Sequence, residues 1–276
     1  MIRDVDHRPR KRFGQNFLHD PGTIRRILAA VDPCPGQRIV EIGPGQGAIT
    51  EGLLAAAGGL DVIELDRDLV GPLAQRFGGL GDLRIHNADA LGFDLCGLIG
   101  DSAPAAAGQR LRVVGNLPYN ISTPLLFAFI GQARCIDDLH LMLQKEVVDR
   151  ICAGPGSKTY GRLSVMVQTF CTAERLLTIG PGAFTPAPKV DSALLRLRPH
   201  RSPAYPIADP ALHARLVAAA FAQRRKTLRN ALRGLLADIG RDEGIIATAG
   251  LDPAARAETV SVAGFARLAS ALADGA

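Results

Sequence analysis

Asn116-Leu117-Pro118-Tyr119 is the segment whose residue types are best suited to chemistry. The exocyclic amine of adenine is a poor nucleophile, because its lone pair is delocalised into the ring. If the Asn116 amide oxygen and the Leu117 carbonyl both accept N–H bonds from such an amine, they hold it nearer to tetrahedral geometry, with the lone pair aimed at an electrophilic methyl group. Pro118 fixes the backbone, and Tyr119 offers a ring face to the base. No strong general base is required, since the nitrogen becomes acidic after attack and loses its proton to water. Catalysis of that kind rests on positioning and oriented dipoles.

A second constellation supplies a place for the methyl donor. Val40-Glu41-Ile42-Gly43-Pro44-Gly45-Gln46-Gly47 reads as a strand running into a glycine-rich turn before a helix. Gly43 and Gly45 let the backbone approach a ligand closely and leave N–H groups directed at it. Glu64 ends the next strand roughly twenty residues on, where a carboxylate can accept both hydroxyls of a ribose. Asp89 closes the third strand, where it can accept from an adenine amino group. These features describe an adenosine-binding crevice, open to a dinucleotide or to S-adenosylmethionine. The 116–119 segment separates the two, because a nicotinamide dehydrogenase would leave it without a role.

Stepwise alternation of short apolar runs with amphipathic stretches must position these groups. Residues 38–42, 61–65, 83–86, 111–115 and 138–143 read as buried strands, which predicts an α/β, Rossmann-like, mostly parallel doubly wound sheet. The 116–119 segment then lies at the carboxyl edge of the fourth strand, beside the crevice where such folds bind ligands. Residues 192–197 alternate well enough for a further strand. The preceding Phe184-Thr185-Pro186-Ala187-Pro188-Lys189-Val190-Asp191 is a proline-stiffened loop, and Phe184 is expected to sandwich a flipped adenine opposite Tyr119. Gly154-Pro155-Gly156-Ser157-Lys158-Thr159 is a surface loop; Ser157 stands where a phosphate-binding P-loop needs glycine, so ATP binding is rejected.

Three segments are expected: a basic arm and cofactor cap over 1–18, a methyltransferase domain over 19–200 and a small helical domain over 201–276. The arm carries Arg3, Arg8, Arg10, Lys11 and Arg12, followed by the apolar Phe13-Gly14-Gln15-Asn16-Phe17-Leu18, which can fold back over the cofactor. Arg224, Arg225, Lys226, Arg229 and Arg233 fall close together without an intervening acid, and are read as one helix with Leu228, Leu232 and Leu235 on its apolar face. The first four are the phosphate contacts this pattern predicts. A net charge of +5 is compatible with a polyanionic partner. The 5 cysteines include no C-x-x-C pair, so neither a disulfide framework nor a metal site is expected, and a reducing cytoplasm fits. No apolar run approaches the length of a membrane span, and no heptad pattern demands more than a monomer.

Taken together, residues 12–18, 40–47, 116–119, 160–164, 184–192 and 221–230, with Glu64 and Gln144-Lys145-Glu146-Val147, resemble the bacterial small-subunit ribosomal RNA adenine dimethyltransferases. The resemblance implies a class I methyltransferase fold and transfer of methyl groups from S-adenosylmethionine to N6 of two adjacent adenines near the 3′ end of that RNA. It implies the immature small ribosomal subunit as the partner and a contribution to its maturation. It also implies cofactor contacts at Asn16, Leu18, Gly43, Glu64, Asp89 and Asn116. The related large-subunit enzymes that confer antibiotic resistance share the Asn-Leu-Pro-Tyr type of site, but residues 224–230 resemble the small-subunit enzymes more. DNA adenine methyltransferases usually carry an acid where Asn116 stands, so DNA is not expected. An assembly factor acting mainly by binding is the reading from another class.

Overall fold

The computed structural model describes residues 15–99, 110–202 and 204–273. The basic arm up to Phe13-Gly14 lies outside them. The chain divides into two compact units. The first runs to Val148 and resumes over Glu174–Pro199; the second takes Asp149–Ala173 and the chain from His200 onward.

The first unit begins with a two-residue strand, β1 (Phe17–Leu18), and helix α1 (Pro21–Val31). Asp20 caps α1 by accepting the Thr23 N–H at 2.6 Å, and Pro21 starts the helix where an N–H would have no partner. Then strands and helices alternate: β2 (Arg38–Ile42), α2 (Thr50–Ala57), β3 (Gly59–Glu64), α3 (Arg67–Phe77), β4 (Asp82–Asn87), β5 (Leu111–Asn116), α4 (Ser122–Ile130) and β6 (Ile136–Gln144). Helix α5 (Lys145–Ile151) follows, and α6 (Arg162–Phe170), which belongs to the second unit, precedes β7 (Cys171–Ile179), β8 (Phe184–Thr185) and β9 (Ser192–Pro199).

Seven strands form one sheet in the order β4-β3-β2-β5-β6-β9-β7. The pairings from β4 to β6 are parallel, and β6 pairs with β9 antiparallel. This is the α/β, mostly parallel architecture expected from the apolar runs. The chain winds from β2 outward through β3 to β4, then returns to β5 on the other side of β2. The carboxyl ends of β2 and β5 therefore flank the switch point where such sheets hold ligands. Gly115 permits close approach there, since a Cβ on it would lie 2.8 Å from the Ile42 carbonyl oxygen.

Edge strand β4 brings Arg84 and His86 to Asp61, a buried carboxylate in β3; Arg84 Nη2 and His86 Nε2 each lie 2.8 Å from it. Burial would raise the Asp61 pKa, but the hydrogen bonds from Arg84 and His86 outweigh it and hold the carboxyl below its ordinary value.

Two expectations require correction. Cys96 and Cys135, 39 residues apart, form a disulfide, whereas Cys34 and Cys171 are free thiols. Counting cysteines cannot reveal which two the fold places side by side. Here Gln132 gathers the segments, its side chain accepting from the Leu95 N–H at 2.7 Å and donating to the Phe93 carbonyl at 3.0 Å.

The second correction concerns the basic segment of the second unit. That unit contains α7 (Pro210–Phe221), α8 (Leu228–Asp238), α9 (Gly244–Thr248) and α10 (Val262–Ala273). Asp209 caps α7, accepting N–H bonds from Ala211 and Leu212 at 2.8 and 2.9 Å. Residues 222–227 form a turn rather than the start of a helix, so Arg224, Arg225 and Lys226 precede α8 and only Arg229 and Arg233 lie on it. Distant backbone imposes this: Leu228 and Arg229 donate to the carbonyls of Ala255 and Pro253 at 2.8 and 3.1 Å, and Thr227 bridges Arg256. The apolar face of Leu228, Leu232 and Leu235 is buried as the pattern predicts.

Candidate active site

A cavity of about 390 Å³ opens at the switch point of the first unit. Of the sequence-predicted residues, Asn16, Leu18, Gly43, Gly45, Glu64, Asp89, Asn116, Leu117, Pro118 and Tyr119 all line it. Phe184 does not. Its ring is 2% exposed and packs in the core with Phe17, Leu18, Met142 and Ile179. In this conformation it anchors β8, which pairs antiparallel with β1 through Leu18↔Phe184 and Phe17↔Thr185. Phe184 thus holds the strand that walls the cavity, with its own ring faces covered.

The glycine turn follows β2. Gly43, Gly45 and Gly47 have φ of +62°, +57° and +81°, a region side chains with a Cβ rarely adopt. At Gly45 the constraint is double, because a Cβ would lie 2.9 Å from the Phe17 ring. The Gly45 N–H donates to Glu64 Oε2 at 3.1 Å, while Glu64 Oε1 accepts the Asp66 N–H at 2.8 Å. One carboxylate therefore ties the turn after β2 to the turn after β3. Burial raises the Glu64 pKa, opposed by those two backbone hydrogen bonds. Asp89 is exposed and accepts the Leu91 N–H at 2.9 Å, which fixes its loop at the cavity rim.

Asn116 ends β5. Its Nδ2 donates to the Asn16 carbonyl at 2.9 Å. A carbonyl oxygen can only accept, so the amide nitrogen must face it and the amide oxygen is left as the acceptor of the side chain. Tyr119 shares a 2.5 Å hydrogen bond with Ser192 Oγ at the start of β9, and burial raises its phenol pKa. The Leu117 N–H is held by the Met142 carbonyl at 3.2 Å. This constellation sets an oriented amide oxygen and a tethered aromatic ring beside a backbone-lined crevice.

Sequence reasoning gave no role to Glu41, which is 2% exposed, lines the cavity and accepts from Thr50 Oγ1 at 2.7 Å. Burial, with Glu64 nearby, pushes its pKa up to about 8 despite the Thr50 bond. An acid set among Ile39, Val40 and Ile42 was the available signal. Because the folded-state value is raised, the folded protein holds this proton more tightly than the unfolded chain. The associated stability is present below the ordinary glutamate value of 4.5 and is lost as pH rises through about 8. Within that window the slope approaches about 1.4 kcal/mol per pH unit. Glu41→Gln keeps an acceptor for Thr50 and has no proton to lose, so its melting temperature should decline less with pH; parallel melting curves would refute the assignment.

Over residues 6–274 the sequence matches the model of the family described as ribosomal RNA adenine dimethylase. The chain belongs to that family. Among ribosomal RNA adenine dimethylase relatives, the ribosomal RNA small subunit methyltransferase A of Methylococcus capsulatus is 56% identical, covering 96% of this chain and 98% of its own. The Pseudomonas aeruginosa protein of the same name is 54% identical, covering 97% and 96%. A solved dimethyladenosine transferase from Plasmodium falciparum superposes with a TM-score of 0.76 at 23% identity, covering 91% of this chain and 95% of that one, and so supports the fold. The 23S rRNA methyltransferase ErmE superposes with a TM-score of 0.70 at 26% identity, covering 94% and 100%.

The four cations expected to meet phosphate lie in the second unit. Arg224 Nε approaches Glu258 Oε2 at 3.4 Å, and Arg229 Nε approaches Glu243 Oε2 at 3.6 Å. Arg225 and Lys226 are exposed.

Proposed function

We propose that this chain transfers methyl groups from S-adenosylmethionine to N6 of two adjacent adenines near the 3′ end of small-subunit ribosomal RNA, giving N6,N6-dimethyladenosine. The observation that carries this reading is the Asn116 amide, turned by the Asn16 carbonyl so that its oxygen is free to accept at the switch point. The names of the relatives at 54% and 56% identity support the small-subunit RNA over the large, since ErmE stands at 26%.

The residues present suit the cofactor. A cavity of about 390 Å³ lies within the range of small-molecule sites, and the positive-φ glycines expose backbone along it. Leu18, Gly43 and Gly45 would hold it through close backbone approach, Glu64 would accept from ribose hydroxyls, and Asp89 from an adenine amine. When bound, S-adenosylmethionine supplies a methyl group on a positively charged sulfur. Asn116 Oδ1 and the Leu117 carbonyl accept N–H bonds from the target amine and orient its lone pair. Pro118 stiffens the turn, and Tyr119, held by Ser192, offers its face to the base. After one transfer a single N–H remains, so an acceptor still holds the nitrogen for a second. Phe184 serves by anchoring the Asn16–Leu18 wall; for it to stack on the base as well, the β1–β8 pair would have to open. We place the reaction in the cytoplasm, on the immature small subunit, with the chain as a monomer.

The test is transfer of radiolabelled methyl to immature small subunits, mature large subunits and naked DNA in parallel, with nucleoside digestion. N6,N6-dimethyladenosine from the small subunit alone is the expected result. Label in large-subunit RNA would transfer the assignment to the resistance-type enzymes, and subunit binding without label would favour an assembly factor.

A further inference from the structure

Residues 154–159, Gly-Pro-Gly-Ser-Lys-Thr, are all exposed, yet the loop is pinned at three points within the second unit. Gly156, at φ +83°, donates its N–H to the Glu258 carbonyl at 2.7 Å. Tyr160, fully buried, donates its hydroxyl to the Val260 carbonyl at 2.8 Å and packs edge-on against Phe221 with ring centroids 6.0 Å apart. Arg224 donates through Nη2 to the carbonyl of Lys158 at 3.0 Å. Residues 253–260 thus bed both this loop and the basic turn at 222–227, since Leu228 and Arg229 dock on the same segment.

The charges on the two segments are not equivalent. The Arg224 guanidinium is engaged with the Glu258 carboxylate and a backbone carbonyl, so much of its charge and donor capacity is already committed. Lys158, Arg225 and Lys226 have no ion-pair partner among the described residues. A lysine ammonium is a compact charge suited to a single phosphate, and holding its backbone in place beforehand lowers the entropy lost on docking.

We propose that Lys158 is a contact for an RNA backbone phosphate, alongside Arg225 and Lys226, and that Arg224 is a positioning residue that keeps Lys158 in this patch. The inference rests on the second unit being the RNA-docking part of the proposed enzyme. Sequence reasoning had placed Arg224 among the phosphate contacts themselves.

The experiment is the affinity of the full chain for immature small subunits across a series of KCl concentrations. Each phosphate contact contributes about 0.7 to 0.9 to the log–log salt slope. Lys158→Ala should lower the slope by about one such step, Arg224→Ala should do the same, and the double variant should fall no further. Arg224→Gln, which keeps an N–H for the Lys158 carbonyl but no charge, should stay close to the parent; it also serves if Arg224→Ala fails to fold, as a thermal melt would reveal. Additive losses in the double variant, or a full step lost in Arg224→Gln, would overturn the positioning role. An unchanged slope in Lys158→Ala beside a deficit in Arg225→Ala/Lys226→Ala would remove Lys158 and leave RNA docking standing. No change in any variant would remove the docking reading and this inference with it.

Discussion

Asn116→Ala is expected to slow methyl transfer by roughly 10²- to 10³-fold while changing cofactor affinity only a few-fold, the loss typical when one preorganised dipole is removed from a developing charge. The Asn16 carbonyl takes the Asn116 amide N–H at 2.9 Å and so sets which end of the side chain is left to face the cavity. Alanine removes both the acceptor and the tether. Asn116→Asp separates them: a carboxylate still accepts from the amine, but one of its oxygens must confront the Asn16 carbonyl, so an intermediate rate is expected. Single-turnover kinetics at saturating cofactor distinguishes chemistry from product release. Turnover equal to the parent in Asn116→Ala would withdraw the catalytic role assigned to Asn116.

Local pattern and remote contact contributed differently to what could be read from the sequence. Strand β2, Arg38–Ile42, was legible from Ile39, Val40 and Ile42, because a strand buried on both faces is dominated by apolar residues, and Glu41 is its one buried charge. The glycine turn and strand-end Glu64 were legible for a related reason: positive φ and a carboxylate at the switch point have few residue solutions. Strand β7 was not, since Cys171–Ile179 carries exposed Glu174 and Arg175 and lacks clean alternation. The basic turn was read as helix because Gln, Arg and Lys are good helix formers and neither glycine nor proline interrupts them. Hydrogen bonds donated by Leu228 and Arg229 to the carbonyls of Ala255 and Pro253 fix where α8 starts, and no local signal announces them. Asn16 and Asn116 are likewise 100 residues apart, so the bond that orients the amide belongs to the fold rather than to either motif.

Glu64→Gln should produce the opposite kinetic split, weakening cofactor binding by about 100-fold, which is about 2.7 kcal/mol, with turnover at saturating cofactor near the parent value. The substitution is nearly isosteric, so size cannot explain the loss. The carboxylate spends one oxygen on the Asp66 N–H at 2.8 Å and the other on the Gly45 N–H at 3.1 Å, with the side chain 5% exposed. Glutamine has a single acceptor oxygen, and its NH₂ must then face a backbone N–H at the other position, donor against donor. Leaving one buried donor unsatisfied costs about 1–3 kcal/mol. The cost lands on one of the two turns that wall the cavity, and in the proposed complex the ribose hydroxyls would lose a charged acceptor in addition. Calorimetric titration with S-adenosylhomocysteine, paired with thermal melts of the free protein, separates the two contributions: disruption of the turn alone lowers the melting temperature, whereas loss of a ribose acceptor appears only in the binding enthalpy and affinity. A Glu64→Gln protein that melts like the parent and binds within twofold of it would show that Glu64 neither organises the glycine turn nor meets the ribose.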